Sequence, residues 1–235
     1  MVDPQQVFSD PKVIALARAA AAGKPAEVEV LLHRGVNVKT VGQKGFTVTH
    51  FALLARENAS GVLRLLLNAG ADPISRLEDG NDVPNYAAAR DNADPAVVAT
   101  LLDAGVSPSQ LVGIQHMSWL QAAIAGHNGS VIHLLLDRGA DVNFNHPFNG
   151  TALHTAMLLP DYDVIVLLLD RGANPHLSNK QSPEIGPEVP RRTPAEFYCR
   201  FQSGKRPNPT PQQLAGFEAM KQAFARKGVV LPCGI

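Results

Sequence analysis

The sequence predicts an all-α solenoid of about five to six helix-turn-helix repeats, with β-hairpin loops between them and capping helices at the ends. Three observations carry this. The segment LLHRGVNV (31–38) recurs as LLNAGADP (66–73), LLDAGVSP (101–108), LLDRGADV (135–142) and LLDRGANP (168–175). Its glycines, Gly35, Gly70, Gly105, Gly139 and Gly172, keep a nearly constant interval, the mark of a repeat array. A second anchor follows the first four at one fixed offset: Thr47 after Gly35, Asp82 after Gly70, Met117 after Gly105 and Thr151 after Gly139. Finally, VIHLLLDRG and VIVLLLDRG carry the apolar period of a half-buried helix.

Each element has a local reason. Thr47 or Thr151 caps a short first helix by accepting a hydrogen bond from an orphan N–H. The small residues behind it, Ala52, Ala87, Ala122 and Ala156, let that helix lie close to a neighbour. A second helix follows and stops at glycine, which takes the left-handed conformation cheaply. A polar hairpin leads to the next unit. One unit cannot bury its apolar face alone, whereas stacked units can.

The units fall near 10–40, 41–75, 76–110, 111–144, 145–177 and 191–228, within a single domain spanning 1–235. A Pro-rich insert, 178–190, delays the last unit, and 211–235 forms a C-terminal cap with Leu214, Phe217, Met220 and Phe224 on one side. At the other end, Ser9 or Asp10 caps the first helix, with Pro11 at its first position.

TALH (151–154), TVTH (47–50), GADVN (139–143), GADP (70–73) and GANP (172–175) resemble the ankyrin repeat family, in its small bacterial form. The resemblance covers roughly residues 10 to 200 and implies a solenoid of ankyrin repeats. It also implies that His50 and His154 bond nearby backbone. Two units depart from the pattern: DVPN (82–85) has Asp and Asn for the capping Thr and the His, and MSWL (117–120) lacks both. The middle unit is therefore expected to be the weak link, and Met117→Thr to stabilise it. The stretch from the anchor alanine to the next glycine is shortest from Ala156 to Gly172. It is one position longer from Ala122 to Gly139, and two positions longer from Ala52 to Gly70 and from Ala87 to Gly105. The extra residues are expected in the helix-to-helix turns near 56–60, 90–95 and 125–130. Trp119 is expected in the core.

Composition bounds the function. The formal net charge is zero, which argues against a general nucleic-acid or membrane-surface binder. Residues 1–179 carry 12 Lys/Arg against 17 Asp/Glu and residues 180–235 carry 9 against 4, so the far end has a mildly basic face. No apolar stretch approaches the ~20 residues of a membrane span. The N-terminus lacks signal-peptide features, so the expected location is the periplasm if a signal was removed before Met1 and the cytoplasm otherwise. Cys199 and Cys233 are too few for a disulfide scaffold or a zinc site. Two buried thiols are the favoured reading, and one bridge tying the tail to the last repeat is the alternative in an exported protein.

No phosphate-binding glycine loop, nucleophile elbow, HExxH or paired CxxC is present. The expectation is accordingly no enzyme, no cofactor and no metal. Hairpin histidines at 116, 146 and 176 are the only basis for a metal or enzymatic alternative, and stacked repeats stand on the order of 10 Å apart, too far to share a zinc. What remains is surface. Projecting the register places Phe51, Tyr86 and Gln121 toward the concave side, with Arg56 and Arg90. The hairpin tips add Arg76, Gln115, Phe144, His146 and Phe148. Aromatic and arginine side chains on a protruding face are typical binding anchors. The expected function is to bind another protein through that face, the free chain being monomeric. The resemblance further suggests an inhibitor or immunity factor for a secreted bacterial toxin or effector enzyme; mimicry of host ankyrin arrays is the third reading.

Overall fold

A computed structural model describes residues 2–90, 93–114, 116–147, 149–179, 192–201, 209–231 and 233. The chain separates into two compact units, Met1–His116 and Met117–Ile235.

In the first unit, α1 (Pro11–Ala21) and α2 (Pro25–His33) form the first pair. They are followed by α3 (Val48–Ala52) with α4 (Ala59–Asn68), α5 (Val83–Ala88) with α6 (Pro95–Asp103), and a short strand β1 (Leu111–Val112). First helices pack on first helices (α1 on α3) and second on second (α2 on α4, α4 on α6), the stacking the repeat demands. Leu16, Val28, Phe51, Leu63, Leu66, Val98 and Leu101 fill the core. Asp10, not Ser9, caps α1, its carboxylate accepting from the Lys12 amide at 2.8 Å.

In the second unit a short strand β2 (Met117–Ser118) leads into α7 (Trp119–Ala125). Then come α8 (Gly129–Asp137), α9 (Ala152–Leu158), α10 (Tyr162–Asp170), α11 (Pro194–Phe201) and α12 (Pro211–Arg226). Here α7 packs on α9, α9 on α11, and α10 on α12. The last helix thus takes the place of a second helix in its pair. Phe217, Met220 and Phe224 face the core as expected, but Leu214 does not: it is 43% exposed. Trp119 and Leu120 are fully buried.

All five repeat glycines have positive φ, from 75° at Gly35 to 95° at Gly172. After each, the residue two places on closes a small turn with its own side chain. Asn37, Asp72, Ser107, Asp141 and Asn174 accept from the amides of Lys39, Ile74, Ser109, Asn143 and His176, at 2.9 to 3.2 Å. An Asx or Ser turn is a backbone turn built from a side chain, so the polar residue after each glycine aims the hairpin.

The middle unit corrects the projected register. The cap of α7 is Ser118, not Met117; its hydroxyl accepts from the Gln121 amide at 3.2 Å. The cap therefore lies one place further from Gly105 than Thr47 lies from Gly35. The matching alanine is Ala123, which stands as far from Gly139 as Ala156 stands from Gly172. The extra residue is in the hairpin, not in the turn near 125–130. Lengthened turns are found where expected in the other two units, between α3 and α4 and between α5 and α6.

Cys199 and Cys233 form a disulfide, with Cα atoms 5.6 Å apart, which corrects the expectation of two free thiols. The bridge ties the segment after α12 back to α11. Beneath it, Tyr198 stacks on Phe217 (6.0 Å) and Tyr162 meets the same ring edge-on at 6.2 Å. Most of the Pro-rich insert lies outside the described residues.

Candidate protein-binding surface

The short helices are fixed by four versions of one device: a capping motif that also reaches the next hairpin. In α9 the motif is TALH. Thr151 donates its amide to His154 Nδ1 at 3.1 Å, and His154 Nε2 bonds the Arg192 carbonyl at 3.0 Å. In α7 a glutamine replaces the imidazole. Gln121 Oε1 accepts the Ser118 amide at 3.1 Å while Nε2 donates to the Gly150 carbonyl at 3.0 Å. In α5 the capping carboxylate does both. Asp82 Oδ1 accepts from the Asn85 amide and Oδ2 from the Gly113 amide, each at 2.9 Å, with Arg76 against Oδ2 at 3.2 Å. In α3, Thr47 and Thr49 reach the Ser75 hydroxyl at 2.9 and 3.1 Å. These departures from TALH therefore keep the tie by other chemistry.

His50, in α3, differs from His154 in one respect. Its Nδ1 accepts the Thr47 amide at 3.2 Å, but its buried Nε2 has no partner among the described residues. Burial pushes its pKa down to about 4, against the opposing pull of Asp82, Asp72 and Asp79. Burial also lowers His154, partly offset by its bond to the Arg192 carbonyl. For His50 the folded state binds its proton less readily than the unfolded state. Its neutral form supports folding fully above pH 6.5, and stability falls as the pH drops toward 4. By pH 5 the loss from this residue is about 2 kcal/mol. Urea midpoints at pH 7.5 and pH 5 test this in wild type and His50→Gln, the residue α7 already uses at this position. The variant should lose less on acidification, and equal losses would refute the assignment.

In the first unit Tyr86 is half-buried on α5, and the ring of Phe46 stands near it, just before the Thr47 cap. Both are edge-on to the buried His50 ring, at 6.3 and 5.7 Å. Tyr86 divides two clefts. One, of about 490 Å³, is bounded by Leu53, Arg56, Arg90 and Asp94. Arg90 is anchored there by donating to the Leu53 carbonyl at 2.9 Å, and Arg56 is exposed. The other, of about 360 Å³, is lined by Lys44, Phe46, Leu77, Glu78 and Asp79 with Tyr86. Burial and then the Asp79 carboxylate raise the Tyr86 pKa above its ordinary value, so its hydroxyl remains a proton donor.

Several expected surface residues lie elsewhere. Phe51 is 1% exposed, covered by Phe8 (5.8 Å) and Phe46 (5.9 Å). Gln121 is fully buried in the tie described above. His146 is buried at the base of its hairpin, where its backbone pairs with Gly150 and its Nδ1 accepts the Asn149 amide at 3.1 Å. Arg76 reaches solvent but is engaged by Asp82. Phe144 is half-buried, 6.5 Å from the His146 ring. Gln115 and Phe148 lie outside the described residues. Phe46 and Asp79 were missed. The aromatic preceding a capped helix in GFTVTH was the available signal for Phe46, since that position adjoins the outward ring of the next unit.

Glycine-stopped second helices, side-chain-closed turns and capped first helices stacked like on like define a helix-pair repeat scaffold. The chain is an ankyrin repeat protein. The model for "Ankyrin repeats (3 copies)" matches residues 85–179. The chain is 31% identical over 181 residues to the human mitochondrial disaggregase, covering 72% of this chain and 23% of that protein. It is 34% identical over 119 residues to a putative ankyrin repeat-containing protein of Treponema pallidum (strain Nichols), covering 51% and 39%. The chain thus spans well under half the length of these relatives. The human ASB11 ankyrin repeat domain superposes with a TM-score of 0.66 at 22% identity, covering 95% of this chain and 86% of that one, a likeness of fold. Ankyrin repeats are protein-interaction modules. Among the described residues no helix is long and apolar enough to cross a membrane.

Proposed function

We propose that the protein binds a partner protein through the hairpin side of its first unit, with Tyr86 as the central anchor. The observation that supports this is the setting of Tyr86: a half-exposed aromatic, backed by a buried ring and placed between an arginine-bearing cleft and a carboxylate-bearing one. Such an anchor combines apolar area with a hydroxyl donor and flanking charge. On this reading the chain acts without catalysis of its own. It inhibits the partner by covering its active site, as an immunity factor would cover a toxin or effector enzyme.

The test is capture of a partner from the native cell on the immobilised chain, followed by titration. Tyr86→Ala should weaken binding about 30-fold, the worth of a ~2 kcal/mol anchor, with the thermal midpoint monitored so that lost folding is recognised. Unchanged affinity would remove Tyr86 as the anchor. If the partner is an enzyme, its activity should fall in proportion to complex formed; full activity in the complex would refute the inhibitor reading.

A further inference from the structure

We infer that the cleft between Phe46 and Tyr86 receives an arginine side chain of the partner, an inference that rests on the binding role proposed above. The cleft is built before any partner arrives. Its aromatic walls are held from behind by His50, at 5.7 and 6.3 Å, and Leu77 is buried beside them. Its two sides are joined through the backbone, the Glu78 amide donating to the Lys44 carbonyl at 3.0 Å. Gly45 makes that approach possible: a Cβ there would lie 2.7 Å from the Arg76 carbonyl oxygen. Such a site loses little conformational freedom on binding.

The lining selects for a cation. Two carboxylates, Glu78 and Asp79, face one ammonium, Lys44. Asp79 is held at the hairpin tip by the Asn81 amide at 2.9 Å and its side-chain Nδ2 at 3.3 Å. Glu78 is exposed, and its carboxylate has no partner among the described residues. Aromatic faces attract cations, and a guanidinium adds what an ammonium lacks: a flat surface to stack, a fork for a carboxylate and weaker hydration. Arginine is therefore favoured over lysine, and an acidic side chain is disfavoured.

The probe is the capped tripeptide Ac-Gly-Arg-Gly-NH2, titrated into the isotopically labelled full chain at low salt, with the Lys and Glu tripeptides alongside. The arginine peptide should shift the amides of Gly45, Leu77, Glu78 and Tyr86 saturably, at about millimolar concentration. Binding should weaken by about tenfold in Glu78→Gln, a surface change that removes the carboxylate's charge, and should survive in Lys12→Ala, an exposed change on α1. The inference is overturned if the arginine peptide moves none of these amides, if the lysine or glutamate peptide binds as well, or if Glu78→Gln is without effect. The captured partner separates the two levels. Loss of its binding in Tyr86→Ala but not in Glu78→Gln would sustain the binding role and refute the arginine receptor. Loss in neither would refute both.

Discussion

Replacing Cys199 and Cys233 together by serine should lower the unfolding free energy of the second unit by about 4 kcal/mol. The two residues are 34 apart in sequence. Cross-linking a loop of that length removes conformational freedom from the unfolded chain, and chain-entropy arguments put the effect between about 3 and about 4.7 kcal/mol. Tyr198, Phe217 and Phe224 are buried where α11 packs on α9 and α12 on α10, so the variant should fold with the same core and unfold more readily. The protein supplies its own reporter, because its single tryptophan, Trp119, lies fully buried in this unit. Urea unfolding followed by tryptophan fluorescence should show the double-serine variant well below the oxidised wild type. Reduced wild type should superpose on the variant. If oxidised wild type and variant share one curve, the bridge contributes nothing, and the tail is held by packing alone.

The architecture was legible where one residue type answers one backbone need. The repeat glycines stop helices because φ is positive there, and the polar residue two places on closes a turn; both are local and both recur. The disulfide was legible only as the alternative to two buried thiols, since nothing in the spacing of Cys199 and Cys233 reports that the chain after α12 returns to α11. The surface was harder for a different reason. Phe51 and Tyr86 each lie four places after their caps, yet only Tyr86 reaches solvent. The N-terminal segment brings Phe8 over Phe51, a contact between residues far apart in sequence that repeat periodicity cannot encode. A fixed glycine-to-cap spacing likewise hid Ser118, because a hairpin absorbs an added residue at little cost while a packed helix does not.

That shifted cap carries the last expectation, which reverses the one drawn from spacing. Met117→Thr should leave stability nearly unchanged, because Met117 lies in strand β2, ahead of the cap. Gln121→Ala should instead destabilise by about 3 kcal/mol. Gln121 is fully buried and serves four groups: it accepts from the Ser118 amide and hydroxyl at 3.1 and 3.2 Å and donates to the Gly150 carbonyl at 3.0 Å and the Thr155 hydroxyl at 3.3 Å. Truncation takes its acceptor from the buried Ser118 N–H, at about 1–3 kcal/mol, and leaves the Gly150 carbonyl with only its bond from the His146 amide. It also removes the bond that joins α7 to the hairpin before α9. Gln121→His should recover most of the loss, since His154 makes the equivalent pair of bonds from the same motif position. Three urea curves therefore decide the register: alanine far to the left, histidine near wild type, Met117→Thr superposed on it. If Met117→Thr stabilised the chain by about the 1 kcal/mol of a helix cap while Gln121→Ala was tolerated, the cap would belong at Met117 and the tie through Gln121 would be no part of what holds the middle repeat.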